Sequence, residues 1–381
     1  MSSPPPVLTD DDVGAAVRVL VRDAAVHVLE WHEEEVGWQV VSEVTDGVRR
    51  LRGWVRRDGQ DLPWSLIVKT SRPVEDGDAQ DHHGWQREWR AYTSGLLQPA
   101  GSVRPARLLQ VTRPSPDRIL LWLEDVPDTS PEVWALQQHV RFAGQLGAFN
   151  AAHPVGGSRP AWLWQDWLLS LRVHAPGVGA LAAQAEVWNE PLVRLAFPVP
   201  CTAALQRVSA AFERWSAHLM ALPQTLVHLD AGRFNVRVFS EGGQPSTVLL
   251  DWQALGTGPL GADLAMTHFL NVCRFYADPR AVEAIDAQGF EAYWAAVRGR
   301  GLGVGRSEVR FAYTAVSAMR AAIVVQLLLS RLVPPAVDLR LWAAWGHKRG
   351  WSEHEALRAW GQGMSALLAL GAEADALAQD R

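Results

Sequence analysis

Between about residues 37 and 126 the chain reads as short alternating runs, Trp38–Val44, Arg50–Arg56, Trp64–Thr70, Pro105–Val111 and Arg118–Val126, interrupted by one helical stretch from Gly84 to Leu97. From about residue 131 onward the pattern is almost wholly helical. Strands gathered first and helices afterwards exclude an alternating β-α-β weave and predict an α+β chain in which a sheet and a helical body are separate. The 381 residues exceed one small core, and a soft prior of about 150 residues per domain allows two or three units. We divide the chain into an N-terminal helical extension over 1–35, a sheet lobe over 36–126 and a helical lobe over 127–381. The extension carries Asp10-Asp11-Asp12 at the start of a helix expected to run through residue 30 and is read as an appendage.

The chemistry concentrates in His228-Leu229-Asp230-Ala231-Gly232-Arg233-Phe234-Asn235 and, sixteen residues after Asn235, Asp251 in Leu249-Leu250-Asp251-Trp252. Gln224–Val227 and Val236–Phe239 read as strands flanking a turn, with Thr247–Leu250 as a hairpin partner. Asp230 and Asn235 then sit on a loop and Asp251 ends a strand. Phosphoryl transfer from a nucleotide needs a carboxylate beside the attacking hydroxyl and oxygen ligands for Mg²⁺. Asp230, Asn235 and Asp251 are one such set. A turn aspartate and a cap asparagine are the plain alternative for the first two.

These segments, followed by Gly256-Thr257-Gly258-Pro259-Leu260-Gly261-Ala262-Asp263-Leu264-Ala265, resemble the aminoglycoside phosphotransferase and choline kinase-like family, which shares the two-lobed protein-kinase fold. The resemblance implies a small antiparallel N-lobe with one helix that binds nucleotide, and a mainly helical C-lobe with the catalytic loop and acceptor site. It implies a small-molecule O-phosphotransferase that moves the γ-phosphoryl group of ATP or GTP to a substrate hydroxyl. Asp230 would be the catalytic carboxylate, working at an ordinary aspartate pKa because the transition state is loose. Asn235 and Asp251 would hold Mg²⁺. His228 and Asp263 would support the loop rather than react. Arg233 faces either a phosphate or another loop carboxylate.

Leu66-Ile67-Val68-Lys69 resembles the family's strand whose lysine grips the donor phosphates. Only two of the 36 basic residues are lysine, so a chain that elsewhere uses arginine keeps a compact ammonium here. Its implied partner is Glu88, on the helix from Gly84. The other lysine, Lys348, reads as a solvated surface charge. Leu120–Val126 resembles the strand leading into the hinge, where backbone groups of Glu124 and Val126 would contact the purine. Glu124 and Asp125 equally read as loop acids. The phosphate-covering loop, expected within Val44–Gly53, has only Gly47 and Gly53, and Gly47 is the nominated turn residue.

A formal charge of −5 without long like-charge runs offers no footprint for nucleic acid or an anionic membrane. Cys201 and Cys273 are far apart and read as reduced thiols. The N-terminus lacks the pattern of a secretory signal, and a cytoplasmic protein is expected. Ala321–Leu329, the most apolar stretch, is shorter than the roughly twenty residues of a membrane helix and reads as core. Trp134, Trp162, Trp164, Trp167, Trp188 and Trp215 read as packing residues, with a cage for a quaternary ammonium as the alternative. Asp128, Glu132, Asp166, Glu186 and Glu190 are too scattered to predict an acidic pocket for a polycation, so the hydroxyl acceptor stays open. Two alternatives remain beside the phosphotransferase: a catalytically inactive kinase-like binding module, and a metal-dependent hydrolase lacking the further ligands such a site wants.

Overall fold

The structure, a computed structural model, describes residues 6–36, 44–73, 84–153, 160–174, 180–241 and 244–379. In chain order the first part holds α1 (Asp10–Val21), β1 (His27–Glu35), β2 (Thr45–Arg57), β3 (Gln60–Ser71), α2 (Gly84–Thr93), β4 (Val103–Pro105), β5 (Leu108–Ser115) and β6 (Arg118–Glu124). Five of these strands form an antiparallel sheet in the order β1-β2-β3-β6-β5. The β2–β3 hairpin closes through Asp58 and Gly59, both at positive φ, the backbone a two-residue hairpin requires.

Apolar side chains leave the central strands on both faces, so both faces need cover. Leu66 and Val68 of β3 and Trp122 of β6 pack with Val13, Ala16 and Val17 of α1. Ile67, Leu121 and Leu123 turn the other way and meet Trp85 and Trp89 of α2. The N-terminal helix is therefore not an appendage but one side of the sheet lobe's core. It also ends earlier than expected: Arg22 takes a left-handed conformation at φ 57° after Val21, and the following residues become β1. The strand expected over Trp38–Val44 falls outside the described residues except for Val44 itself.

The second part holds α3 (Leu136–Ala152), α4 (Trp167–His174), α5 (Pro191–Ala196), α6 (Thr202–Ala221), β7 (Gln224–Val227), β8 (Val236–Glu241), β9 (Gln244–Leu249), β10 (Gly256–Pro259), α7 (Ala262–Cys273), α8 (Val282–Arg298), α9 (Arg306–Leu329), α10 (Arg340–Gly346) and α11 (Glu353–Gln379). The α+β, two-lobed expectation describes this arrangement. One hydrophobic core joins these helices. Helix α3 lies so close to α8 that a Cβ on Gly147 would stand 2.6 Å from the Tyr293 carbonyl oxygen. The apolar stretch near residue 325 belongs to α9, which is longer than the sequence reading allowed. The segment Arg306–Leu332 is long and apolar enough to cross a membrane, yet 72% of its most apolar window is buried inside the protein, as in a core helix.

Three short pairings position the loops. Strand β7 pairs with β10, β8 with β9, and β4 adds to β9 in parallel. The turn from β7 to β8 and the exit from β9 are thereby brought side by side.

Candidate active site

Alternation along β3 determines what Lys69 can reach. It shares the face of Ile67, the face covered by α2, and there its Nζ lies 2.6 Å from Oε2 of Glu88 and 2.7 Å from Oδ1 of Asp251. Glu88 is 1% exposed and its other oxygen accepts the Trp252 amide at 3.2 Å. One ammonium thus bridges a carboxylate from the sheet lobe's helix and one from the end of β9.

The loop between β7 and β8 is built on Asp263, in the first turn of α7, where a carboxylate is favoured by the helix dipole. Fully buried, Asp263 accepts the amides of His228 at 3.0 Å and Leu229 at 2.8 Å and the Asn150 side-chain amide at 3.0 Å. Gly261 precedes it at φ 100°, where a Cβ would stand 2.3 Å from the Val309 carbonyl oxygen, so the glycine before this aspartate is required twice over.

His228 is fully buried and touches the Leu250 carbonyl oxygen through Nε2 at 2.9 Å, while Nδ1 lies 3.3 Å from the Asp230 amide. These partners fix a neutral ring that donates from Nε2 and accepts at Nδ1. Burial holds its pKa below the usual histidine range. The Leu250 amide in turn donates to the Asn235 carbonyl at 2.9 Å, so the two loops are stitched on both sides.

Asp230 accepts from Asn235 Nδ2 at 2.8 Å, which leaves the Asn235 side-chain oxygen as the atom suited to a hard cation. Asp251 adopts a left-handed backbone at φ 60°, and Leu229 does so at φ 61°. A non-glycine residue there is strained, and the strain falls on the residue before Asp230 and on the second candidate metal ligand.

Burial, with Asp251 nearby, pushes Asp230 up to about 7, against the ordinary aspartate value expected from sequence. The expectation failed because it considered the reaction and not the desolvated loop on which the group sits. Burial opposes the charge on Lys69, but Asp251 and Glu88 more than offset it and hold the ammonium protonated. Burial raises Glu88, while Lys69 outweighs burial at Asp251 and lowers it. Asp230, Asp251 and Glu88 surround one ammonium and a neutral imidazole, an excess of negative charge that suits a divalent cation with waters and phosphate oxygens completing its shell. Among the described residues no group of three or more His, Cys, Asp or Glu side chains forms a metal cluster.

Arg233 resolves in favour of the carboxylate: its guanidinium reaches Asp128 at 2.8 Å and the carbonyls of Ser130, Pro131 and Val236, pinning the loop to the start of the helical body. Glu124 clamps Arg104, and its amide donates to the Arg107 carbonyl at 3.0 Å. Val126 packs against Ala106 and Val248. Gly47 lies within β2, opposite Thr70, with no left-handed backbone and open space where a Cβ would be. The expected phosphate-covering segment is thus mostly strand, and the actual link from β1 to β2 runs through residues 37–43, outside the described ones.

The chain matches the model of the phosphotransferase enzyme family over residues 42–300. The protein belongs to that family. It is a small-molecule kinase by membership. This phosphotransferase superposes on an aminoglycoside phosphotransferase from Alicyclobacillus acidocaldarius with a TM-score of 0.57 at 14% identity, covering 98% of each chain. The GDP complex of a mutant aminoglycoside 2'-phosphotransferase gives a TM-score of 0.50 at 9% identity, covering 89% of this chain and 97% of the other. Both likenesses bear on the fold. No curated protein matches the chain by sequence.

Sequence reasoning missed Asn150 of this phosphotransferase. Its amide holds Asp263 and its oxygen accepts from Tyr293 Oη at 2.9 Å. An asparagine on the apolar face of α3 was the available signal. Three of the tryptophans named for a cage serve packing: Trp215 is fully buried, Trp188 donates to the Ala182 carbonyl and Trp167 to the Thr257 carbonyl. Lys348 is half-buried and lies over the Tyr276 ring rather than standing in solvent.

Proposed function

We propose that the protein transfers the γ-phosphoryl group of ATP or GTP to a hydroxyl of a small molecule, with Mg²⁺ held by Asn235 and Asp251. The observation that carries this reading is the Lys69 bridge between Glu88 and Asp251, set beside an Asp230 that Asn235 orients. Residues 36–126 act as the nucleotide lobe and 127–381 as the catalytic and acceptor lobe. Lys69 binds donor phosphates, and the Glu124 carbonyl and Val126 amide meet the purine. When bound, Mg²⁺ neutralises charge on the donor's phosphates. Asp230 aligns the acceptor hydroxyl and takes its proton as the new O–P bond forms and the bond to the β-phosphate oxygen breaks, releasing the nucleoside diphosphate. A carboxylate near pKa 7 is well matched to hold that proton at neutral pH. A cytoplasmic setting, which supplies nucleotide and Mg²⁺, accompanies this reading.

The test is calorimetric titration of ATP and of GTP, with and without Mg²⁺, into the wild-type protein and Asp251→Ala. Mg²⁺-dependent binding that disappears in the variant supports the site and identifies the donor. No binding of either nucleotide overturns it in favour of a binding module for another ligand.

A further inference from the structure

The helical side of the catalytic loop carries cations that, among the described residues, have no carboxylate within ion-pair distance. Arg274, at the end of α7, lies 4.6 Å from the ring of Phe234, the residue next to Asn235, and Phe234 in turn stacks 5.7 Å from Tyr276. Lys348 Nζ stands 4.7 Å over that second ring. Arg320 of α9 lies over Phe269, with its Nε buried and without a hydrogen-bond partner among the described residues. Both guanidinium groups act electrostatically on Asp230.

Two partly buried arginines of the helical lobe are paired, Arg233 with Asp128 at 2.8 Å and Arg310 with Glu373 at 2.6 Å, while Arg349 donates to the Phe275 carbonyl instead. No carboxylate among the described residues pairs with Arg274, Arg320 or Lys348. Two guanidinium charges act on this one carboxylate, Asp230, and neither closes to an ion pair with it. Glu132, the acid whose charge reaches Tyr276 and Lys348, is exposed, and Asp278 is occupied by Arg280 at 2.7 Å. A polycationic acceptor would meet like charge here, a repulsion of the kind that specificity uses.

We propose that the acceptor of this kinase is an anionic hydroxyl compound, one bearing a carboxylate or a phosphate, which Arg274 holds beside Phe234 and the charge of Arg320 attracts. The inference rests on the phosphotransfer reading above and deepens it. A planar guanidinium offers paired donors matched to either anion, and the ring of Phe234 offers an apolar wall to the body of the acceptor.

The experiment compares Mg·ATP- and Mg·GTP-dependent phosphorylation of D-gluconate, glucose 6-phosphate, glucose and kanamycin by the wild-type protein, Arg274→Gln, Arg320→Gln and Arg274→Lys. The expected result is transfer to an anionic compound, with KM for it about tenfold higher in either glutamine variant, the loss of one charge-assisted hydrogen bond, and partly restored in Arg274→Lys. Gluconate against glucose 6-phosphate distinguishes the carboxylate from the phosphate. Preference for kanamycin or glucose, or an unchanged KM in both glutamine variants, overturns the proposal. If none of the four is phosphorylated, inorganic sulfate is titrated into ¹⁵N-labelled protein saturated with a non-hydrolysable Mg·nucleotide. Saturable shifts of the Arg274 and Arg320 Nε resonances support an anion site, and their absence overturns it. Failure of nucleotide binding, read separately by calorimetry, is the failure of the underlying reading instead.

Discussion

At the residue scale Asp230 combines two roles that conflict. A catalytic carboxylate must be available to the acceptor hydroxyl, yet its loop is desolvated and faces Asp251, so its charge is disfavoured in the nucleotide-free protein. Its folded pKa of about 7 lies above that of an unfolded aspartate, about 3.9. The native protein therefore binds this proton more tightly, and the associated stability is fully present below about pH 4 and lost as pH rises through about 7. Asp230→Asn removes that dependence. We expect the variant to be more stable than wild type by about 1–2 kcal/mol at pH 8, with the difference shrinking as pH falls and vanishing only below about pH 4, in thermal unfolding without nucleotide. The same variant should lose about 10²–10⁴-fold in turnover while keeping its nucleotide affinity, the pattern expected for a lost proton acceptor. A variant that is no more stable at pH 8 would show that Asp230 is not strained by its surroundings.

At the element scale the spacing of His228, Asp230, Asn235 and Asp251 was legible because the local strands and turn are short and their residues lie close in sequence. Lys69 and Glu88 were legible through their order in the chain and the family resemblance, and strand parity in the structure is what lets them meet. The longer-range supports were not. Asn150, Arg233's contact with Asp128 and the α1 cover of the sheet each join segments whose pairing depends on tertiary packing, which periodicity does not encode. Helix α1 was misread because the turn after Val21 carries no proline or glycine, so nothing in the sequence marked where the helix gives way to β1. Packing of α3 against α8 positions Asn150 and, through it, Asp263. Gly147→Ala should cost about 1–3 kcal/mol, because the added methyl meets backbone rather than a movable side chain. Chemical denaturation reads that loss, and a neutral result would mean that the two helices can separate without cost.

At the scale of the whole molecule, the Lys69 bridge is a contact between the sheet lobe and the loop that ends β9, and a bound Mg·nucleotide would enter at that contact. Ligand that binds only the folded protein should stabilise it by about 2.7 kcal/mol at about a hundredfold excess over Kd, a rise of about 3 °C in Tm. Asp251→Ala should abolish the Mg²⁺-dependent part of that rise in differential scanning fluorimetry. An equal shift in both proteins would remove Asp251 from the metal site. The near-absence of lysine has a practical counterpart. Apart from the α-amino group, the chain carries two amines, one in the bridge to Glu88 and Asp251 and one over the Tyr276 ring. Amine acylation read by peptide mass would therefore report the surroundings of Lys348 with almost no background from the rest of the surface, while Lys69, buried and held protonated, would label only when its bridge opens.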